Sequence, residues 1–216
     1  YNVKLPAHSA SNEVWSSANG KKWIAVTKNA AWSSRLGATV VVFKGKMWLI
    51  GGTEDYYFGN EKSLKNDVWY SSNGKDWHLA TSHAAWSPRA YLQSQVLNGK
   101  IYIFGGGNYV TEYFAFNDVW CSEDGVNWTK VCNAAPWHER IWFSSAVYRN
   151  RIWIMGGWSN NPSKNWPDVW YSKDGKKWKE YSSKVAWKAR HALSAFVFQD
   201  KIWMAGGNTY PLVNDV

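Results

Sequence analysis

"NDVWYSSNGKDW" occupies residues 66–77, and close variants stand at 12–23 ("NEVWSSANGKKW"), 117–128 ("NDVWCSEDGVNW") and 167–178 ("PDVWYSKDGKKW"). A repeat is weighed before local propensity, because recurring supersecondary units decide the architecture. Aligned on the first Trp of the phrase, the copies begin at Trp15, Trp69, Trp120 and Trp170. A second Trp follows eight residues on (Trp23, Trp77, Trp128, Trp178), and a third nine beyond that (Trp32, Trp86, Trp137, Trp187). An Arg stands three further along, and sixteen residues after it a Gly pair begins, at Gly51, Gly105, Gly156 and Gly206. First Trp and Gly pair are 36 residues apart in every copy, and only the run from Gly pair to next phrase changes length. Constant spacing marks packed elements; the variable run marks loops on a fixed scaffold.

Each copy holds four short strands, here a to d. Between Arg and Gly pair there is room for strands a and b joined by a two-residue turn: "KG" (44–45), "NG" (98–99), "RN" (149–150) or "QD" (199–200). Gly, Asn or Asp in the second place suits the positive φ of such turns. The quoted phrase reads as the c–d hairpin. A three-residue loop, Ser72–Asn73–Gly74, predicts Trp69 directly across from Trp77, a cross-strand pair repeated in every copy. With the same register, Cys132 falls opposite residue 116, roughly 16 Å from Cys121 along the strand, too far for a disulfide.

Four-stranded units of this length with paired aromatics and a Gly pair are blades of a β-propeller. From residue 12 to 216 the chain resembles the kelch and galactose-oxidase type: an apolar strand, Gly-Gly, then an aromatic on each of the next two strands. The resemblance implies an all-β kelch-type propeller of four-stranded antiparallel blades, three complete and two half-blades in this chain. One domain spans 1–216, with repeats at 12–65, 66–116, 117–167 and 168–213. Because "NDV" at 214–216 opens a fifth phrase, the chain is expected to be a stretch of a longer propeller. The hairpin tip S-x-[ND]-G-x-x-W is similar to the Asp-box of sialidases but one residue short, and is read as a turn.

Composition bounds the rest. A chain of 216 residues suffices for a sizeable core, and 18 Trp, 12 Tyr and 8 Phe must be buried or used in binding. No apolar run is long enough to cross a membrane as a helix. Tyr1 is no natural start, so a leader removed from the sequence and an extracellular or periplasmic location are the expectation. Most of the net charge of +9 falls on the a–b and c–d turns, read either as solvated lysines and arginines that keep strand ends soluble or as a face that docks an anionic polymer or surface, and no nucleic-acid motif accompanies it.

Function is expected on the opposite face, where the b–c and d–a loops lie. Trp142, Trp158 and Trp166 stand outside the repeated positions and map there, with Tyr56, Tyr57, Tyr109 and Tyr113 in the variable loops. Arg35, Arg89, Arg140 and Arg190 have two readings: architectural clamps, or a ring at the channel mouth that attracts an anion such as an acidic sugar. Aromatics beside arginine suit a glycan. His191 follows Arg190 and is the one histidine placed to act; the five histidines show no metal-ligand spacing. The copper ligands of galactose oxidase match no residues here, and the inner-strand R-Y-G-H of bacterial kelch proteins is replaced by "RLGA", "RAYL", "RIWF" and "RHAL". The loop carboxylates Glu54, Asp55, Glu61 and Glu112 form no convincing acid/base pair. The reading is a module binding a glycan or a protein, with no cofactor or metal. The alternatives are a kelch-type sugar enzyme (epimerase or oxidase-like) and a scaffold whose ring another chain completes.

Overall fold

A computed structural model describes residues 10–55, 62–109, 113–182, 185–209 and 211–212. Every regular element in them is a strand. An N-terminal hairpin comprises β1 (Val14–Ser16) and β2 (Ile24–Thr27). Blade 1 follows with β3 (Thr39–Phe43), β4 (Lys46–Ile50), β5 (Val68–Ser71) and β6 (His78–Thr81). Blade 2 has β7 (Gln93–Leu97) and β8 (Lys100–Phe104), a small loop ribbon of β9 (Gly107–Asn108) and β10 (Phe114–Ala115), then β11 (Val119–Ser122) and β12 (Thr129–Cys132). Blade 3 repeats the plan with β13 (Ser144–Val147), β14 (Ile152–Met155), the ribbon β15 (Trp158–Asn160) and β16 (Ser163–Asn165), β17 (Val169–Ser172) and β18 (Trp178–Ser182). A last hairpin joins β19 (Ser194–Phe198) to β20 (Lys201–Ala205).

The three four-stranded sheets run a-b-c-d, all antiparallel. The sequence repeat is therefore permuted against the blade: each phrase supplies c and d of one blade, and the Arg-to-Gly run supplies a and b of the next. The terminal hairpins are separate two-stranded sheets. The a–b turns have positive φ at both central residues, as at Asn98 (49°) and Gly99 (72°), which is the expected geometry.

The c–d register differs from the sequence reading. Trp69 pairs with Leu79 and Tyr70 with His78, and a bulge separates Val68 from Trp69. The Trp residues of one phrase are not a cross-strand pair, because the hairpin tip is longer than three residues. Ser71 Oγ accepts from the Gly74 amide at 2.8 Å, and Asn73 Oδ1 accepts from the amides of Lys75 and Asp76 at 2.9 Å. That Asx-type turn consumes the extra residues. The same shift places Cys132 opposite Val119 rather than residue 116; both thiols are free and burial pushes each above its ordinary pKa.

The Trp residues instead hold blade to blade. Trp32 meets Trp77 edge-on at 6.0 Å, Trp86 meets Trp128 at 6.0 Å and Trp137 meets Trp178 at 5.8 Å. The third Trp of one phrase thus packs on the second Trp of the next, and these pairs anchor the interblade cores with Ile50, Ile103, Phe104 and Ile154.

Candidate functional site

The four arginines are the first site residues to place. Arg140 is fully buried; Nε donates to the His138 carbonyl at 2.9 Å, one Nη to the Gly156 carbonyl at 2.8 Å, and both Nη to Asp168 at 2.6 and 2.8 Å. Arg89 grips Gly105 and Asp118 in the same way, and Arg35 grips Gly51 and Asp67. Arg190 bonds the Lys188 and Gly206 carbonyls, and the equivalent acid, Asp215, lies outside the described residues. Each clamping Asp also accepts from the first Trp of its phrase, as Trp170 Nε1 does to Asp168 at 2.8 Å. Burial alone would raise the Asp168 pKa, but the Arg140 bonds and charge hold it below the ordinary value. One network thus joins the Asp and Trp of the phrase, the Arg and the Gly pair. This is the clamp geometry, and it commits the guanidiniums of Arg35, Arg89 and Arg140 to carbonyls and carboxylates of the blades.

Trp166 belongs to the same framework. It stacks on His138 at 4.6 Å, lies 5.4 Å from the Arg140 guanidinium and donates to Ser159 Oγ at 3.0 Å. Phe116 covers Arg89 in the preceding blade. Tyr56 and Tyr57, with Glu61 and Glu112, lie outside the described residues. Glu54 pairs with Lys65 at 2.8 Å; although burial opposes it, the Lys65 and Ser33 bonds keep this carboxyl below its usual pKa.

The remaining candidates converge. Trp142 contacts Tyr109 (4.5 Å), Trp158 (5.7 Å) and His191 (5.1 Å, stacked). Trp158 in turn meets Tyr109 at 5.7 Å and Tyr113 at 5.2 Å, and Tyr91 closes on Trp142 at 5.5 Å. Six rings from blades 2, 3 and the last hairpin form one aromatic cluster, here called the cup, half-buried apart from the more exposed Tyr109. Burial pushes the Tyr113 phenol up to about 12, so it stays a neutral hydroxyl at every physiological pH.

Local backbone geometry sets the cup. The residue two after each Arg is left-handed in all four copies: Gly37 (φ 65°), Tyr91 (58°), Trp142 (54°) and Ala192 (55°). Successive copies are linked there, the Tyr91 amide donating to the Gly37 carbonyl and the Ala192 amide to that of Trp142, both at 2.7 Å. A bulky ring in this conformation costs about 1–2 kcal/mol, which glycine avoids. Two copies carry small residues; the two that carry aromatics meet in the cup. Tyr91 was not singled out from the sequence, although its place two after Arg89 matched that of Trp142 after Arg140.

No cluster of three metal-ligating side chains is present among the described residues, and no helix is long and apolar enough to cross a membrane. On the turn face, Lys100 pairs with Glu123 at 2.8 Å and Arg149 with Asp200 at 2.5 Å, so part of its charge is internally matched. A groove beside β20, lined by Tyr148, Trp153, Tyr181, Trp187 and Trp203, corresponds to the surface covered elsewhere by the next blade's c–d hairpin.

A family model for the KLHDC2/KLHL20/DRC7 Kelch-repeats domain matches residues 37–216. The chain belongs to the kelch-repeat family. Among solved structures, that of YjhT is similar with a TM-score of 0.71 over 94% of this chain and 75% of that one, at 18% identity. This likeness supports the propeller fold alone. A comparison with curated proteins found no match. As a kelch domain, the chain is a propeller scaffold of the kind used for protein interaction.

Proposed function

We propose that this kelch propeller is a binding module whose aromatic cup takes a glycan. The observation that carries the reading is the use of a strained backbone position to present Tyr91 and Trp142 beside Tyr109, Trp158 and His191. Large rings at a left-handed position that the other two copies fill with Gly and Ala point to use rather than packing. Broad aromatic faces bury the apolar C–H face of a pyranose, while ring hydroxyls remain at the rim for polar contacts. With three arginines engaged by aspartates, the cup suits a neutral sugar better than the acidic one that an arginine ring would favour.

Tryptophan fluorescence titration and calorimetry with chitotetraose, cellotetraose and xylotetraose test this, with a hyaluronan tetrasaccharide as the acidic contrast. Trp142→Gly removes the ring and relieves the left-handed strain, so the protein should fold while affinity falls at least about 10-fold. Unchanged affinity in that variant, or no binding of any sugar by the wild type, refutes the cup as a glycan site. The latter result would favour the second reading, a peptide segment of a protein partner on the same loops, which kelch membership supports.

A further inference from the structure

His191 is where the repeat departs from itself. The residue after each Arg is Leu36, Ala90, Ile141 and His191, and each makes an isolated bridge to the residue after the Gly pair: Thr53, Gly107, Trp158 and Asn208. Three copies place an apolar side chain there. The fourth places an imidazole and surrounds it with partners. Its Nδ1 lies 2.7 Å from Asn165 Oδ1, and Asn165 comes from β16, the loop ribbon of blade 3. Asn165 Nδ2 donates to the Asn208 carbonyl at 3.1 Å and the Ala189 carbonyl at 3.4 Å. Carbonyls only accept, so the amide cannot be flipped, and its oxygen must face the ring. His191 therefore carries its proton on Nδ1, which leaves a lone pair on Nε2. Nε2 has no hydrogen-bond partner among the described residues and is not a sealed polar atom. The ring stacks on Trp142 inside the cup.

We infer that His191 is the polar reader of the cup, its Nε2 accepting a hydrogen bond from a hydroxyl of the bound sugar. The inference rests on the glycan reading and adds the specificity element, a fixed acceptor among rings that otherwise offer faces and hydroxyls. The surroundings keep the acceptor available. Burial lowers the His191 pKa below its ordinary value. The charged groups on the elements packed around it are Arg190, Glu139, Lys164, which lies over Trp166, and Arg140, whose charge Asp168 matches; burial is the cause of the lowering.

His191→Leu installs the residue that the first copy carries, so it should leave the fold intact. With whichever tetrasaccharide binds the wild type, the variant should bind about 3- to 10-fold more weakly, the span of one neutral hydrogen bond. His191→Gln, which restores an acceptor, should recover part of that loss. Wild-type affinity should fall as pH drops through the lowered histidine pKa, because imidazolium donates at both nitrogens, while the Leu variant should be flat. Long-range proton–nitrogen NMR of the ligand-free protein reads the tautomer directly and should find the proton on Nδ1. Leu-variant binding equal to wild type, or a proton on Nε2 at neutral pH, overturns the role of His191 and leaves the cup standing. Failure of the wild type to bind any sugar overturns both together.

Discussion

Arg140 shows how much one side chain does when four of its five N–H donors are claimed. The guanidinium joins the start of strand a, the end of b and the start of c, and Asp168 exists in the blade interior only because that charge faces it. Arg140→Ala strands the carboxylate and should destabilise the protein by about 3–5 kcal/mol. Arg140→Lys should recover little, since a point charge cannot make the planar fork. Chemical denaturation checks both, and a loss under about 1 kcal/mol for the Ala variant would contradict the clamp. The pairing also sets a pH dependence. Asp168 is depressed in the folded state, so its contribution is complete above the unfolded value of 3.8 and is lost as pH falls through the lower folded value. Denaturation midpoints should fall below about pH 4, and Asp168→Asn, less stable at neutral pH, should show a shallower acid loss. W-x-x-R was legible in the sequence as a repeated motif. Its meaning was not, because the clamping aspartate lies 28 to 32 residues away and only the antiparallel return of strand c brings it close.

At the scale of the hairpin, the glycines at the c–d tips of blades 2 and 3, Gly125 and Gly175, answer to two demands. Gly125 has φ 78°, and a Cβ there would lie 2.1 Å from the Trp48 ring of the preceding blade. Gly99, in an a–b turn with φ 72°, has nothing within 4 Å. Gly99→Ala should therefore cost only the left-handed penalty of about 1–2 kcal/mol. Gly125→Ala should cost that plus repacking of Trp48, at least 2 kcal/mol in all. Equal urea midpoints for the two variants would contradict this account. The turn residues themselves were readable: Asn and Asp at the tip are where an Asx turn places them, and Asp124 is brought down to about 2 by hydrogen bonds from Asn127 and neighbouring amides that outweigh its burial. The register was not readable, because a bulge beside the first Trp adds a residue to one strand without any mark in composition.

Across the molecule, blades cohere through Trp pairs contributed by successive phrases. Trp137 is fully buried against Trp178, whereas Trp187, at the equivalent place beside the last hairpin, is half-buried. Trp137→Ala should cost about 3–5 kcal/mol and Trp187→Ala distinctly less. Thermal or urea melts of the pair measure the difference, and similar losses would mean that the pairs do not carry blade cohesion. The aromatic excess in the composition is explained mainly here, with the cup using a minority of the rings.

Spacing by itself determined the blade, its four strands, the tight a–b turns and the place of the variable loops, because those follow from local periodicity, turn chemistry and constant intervals within one repeat. It also brought Trp142, Trp158 and Trp166 forward as aromatics outside the repeat, and His191 as the neighbour of Arg190. Tertiary structure alone decided which of the marked residues are framework and which are surface. Arg35, Arg89 and Arg140 turn inward because distant aspartates meet them, and Trp166 caps Arg140. Tyr91 and Asn165 join the proposed site from blades 2 and 3 because the loops of successive copies meet there, Tyr91 on Trp142 and Asn165 on His191. A repeat repeats contacts within and between blades; a site is made where copies differ, and differences converge only in three dimensions.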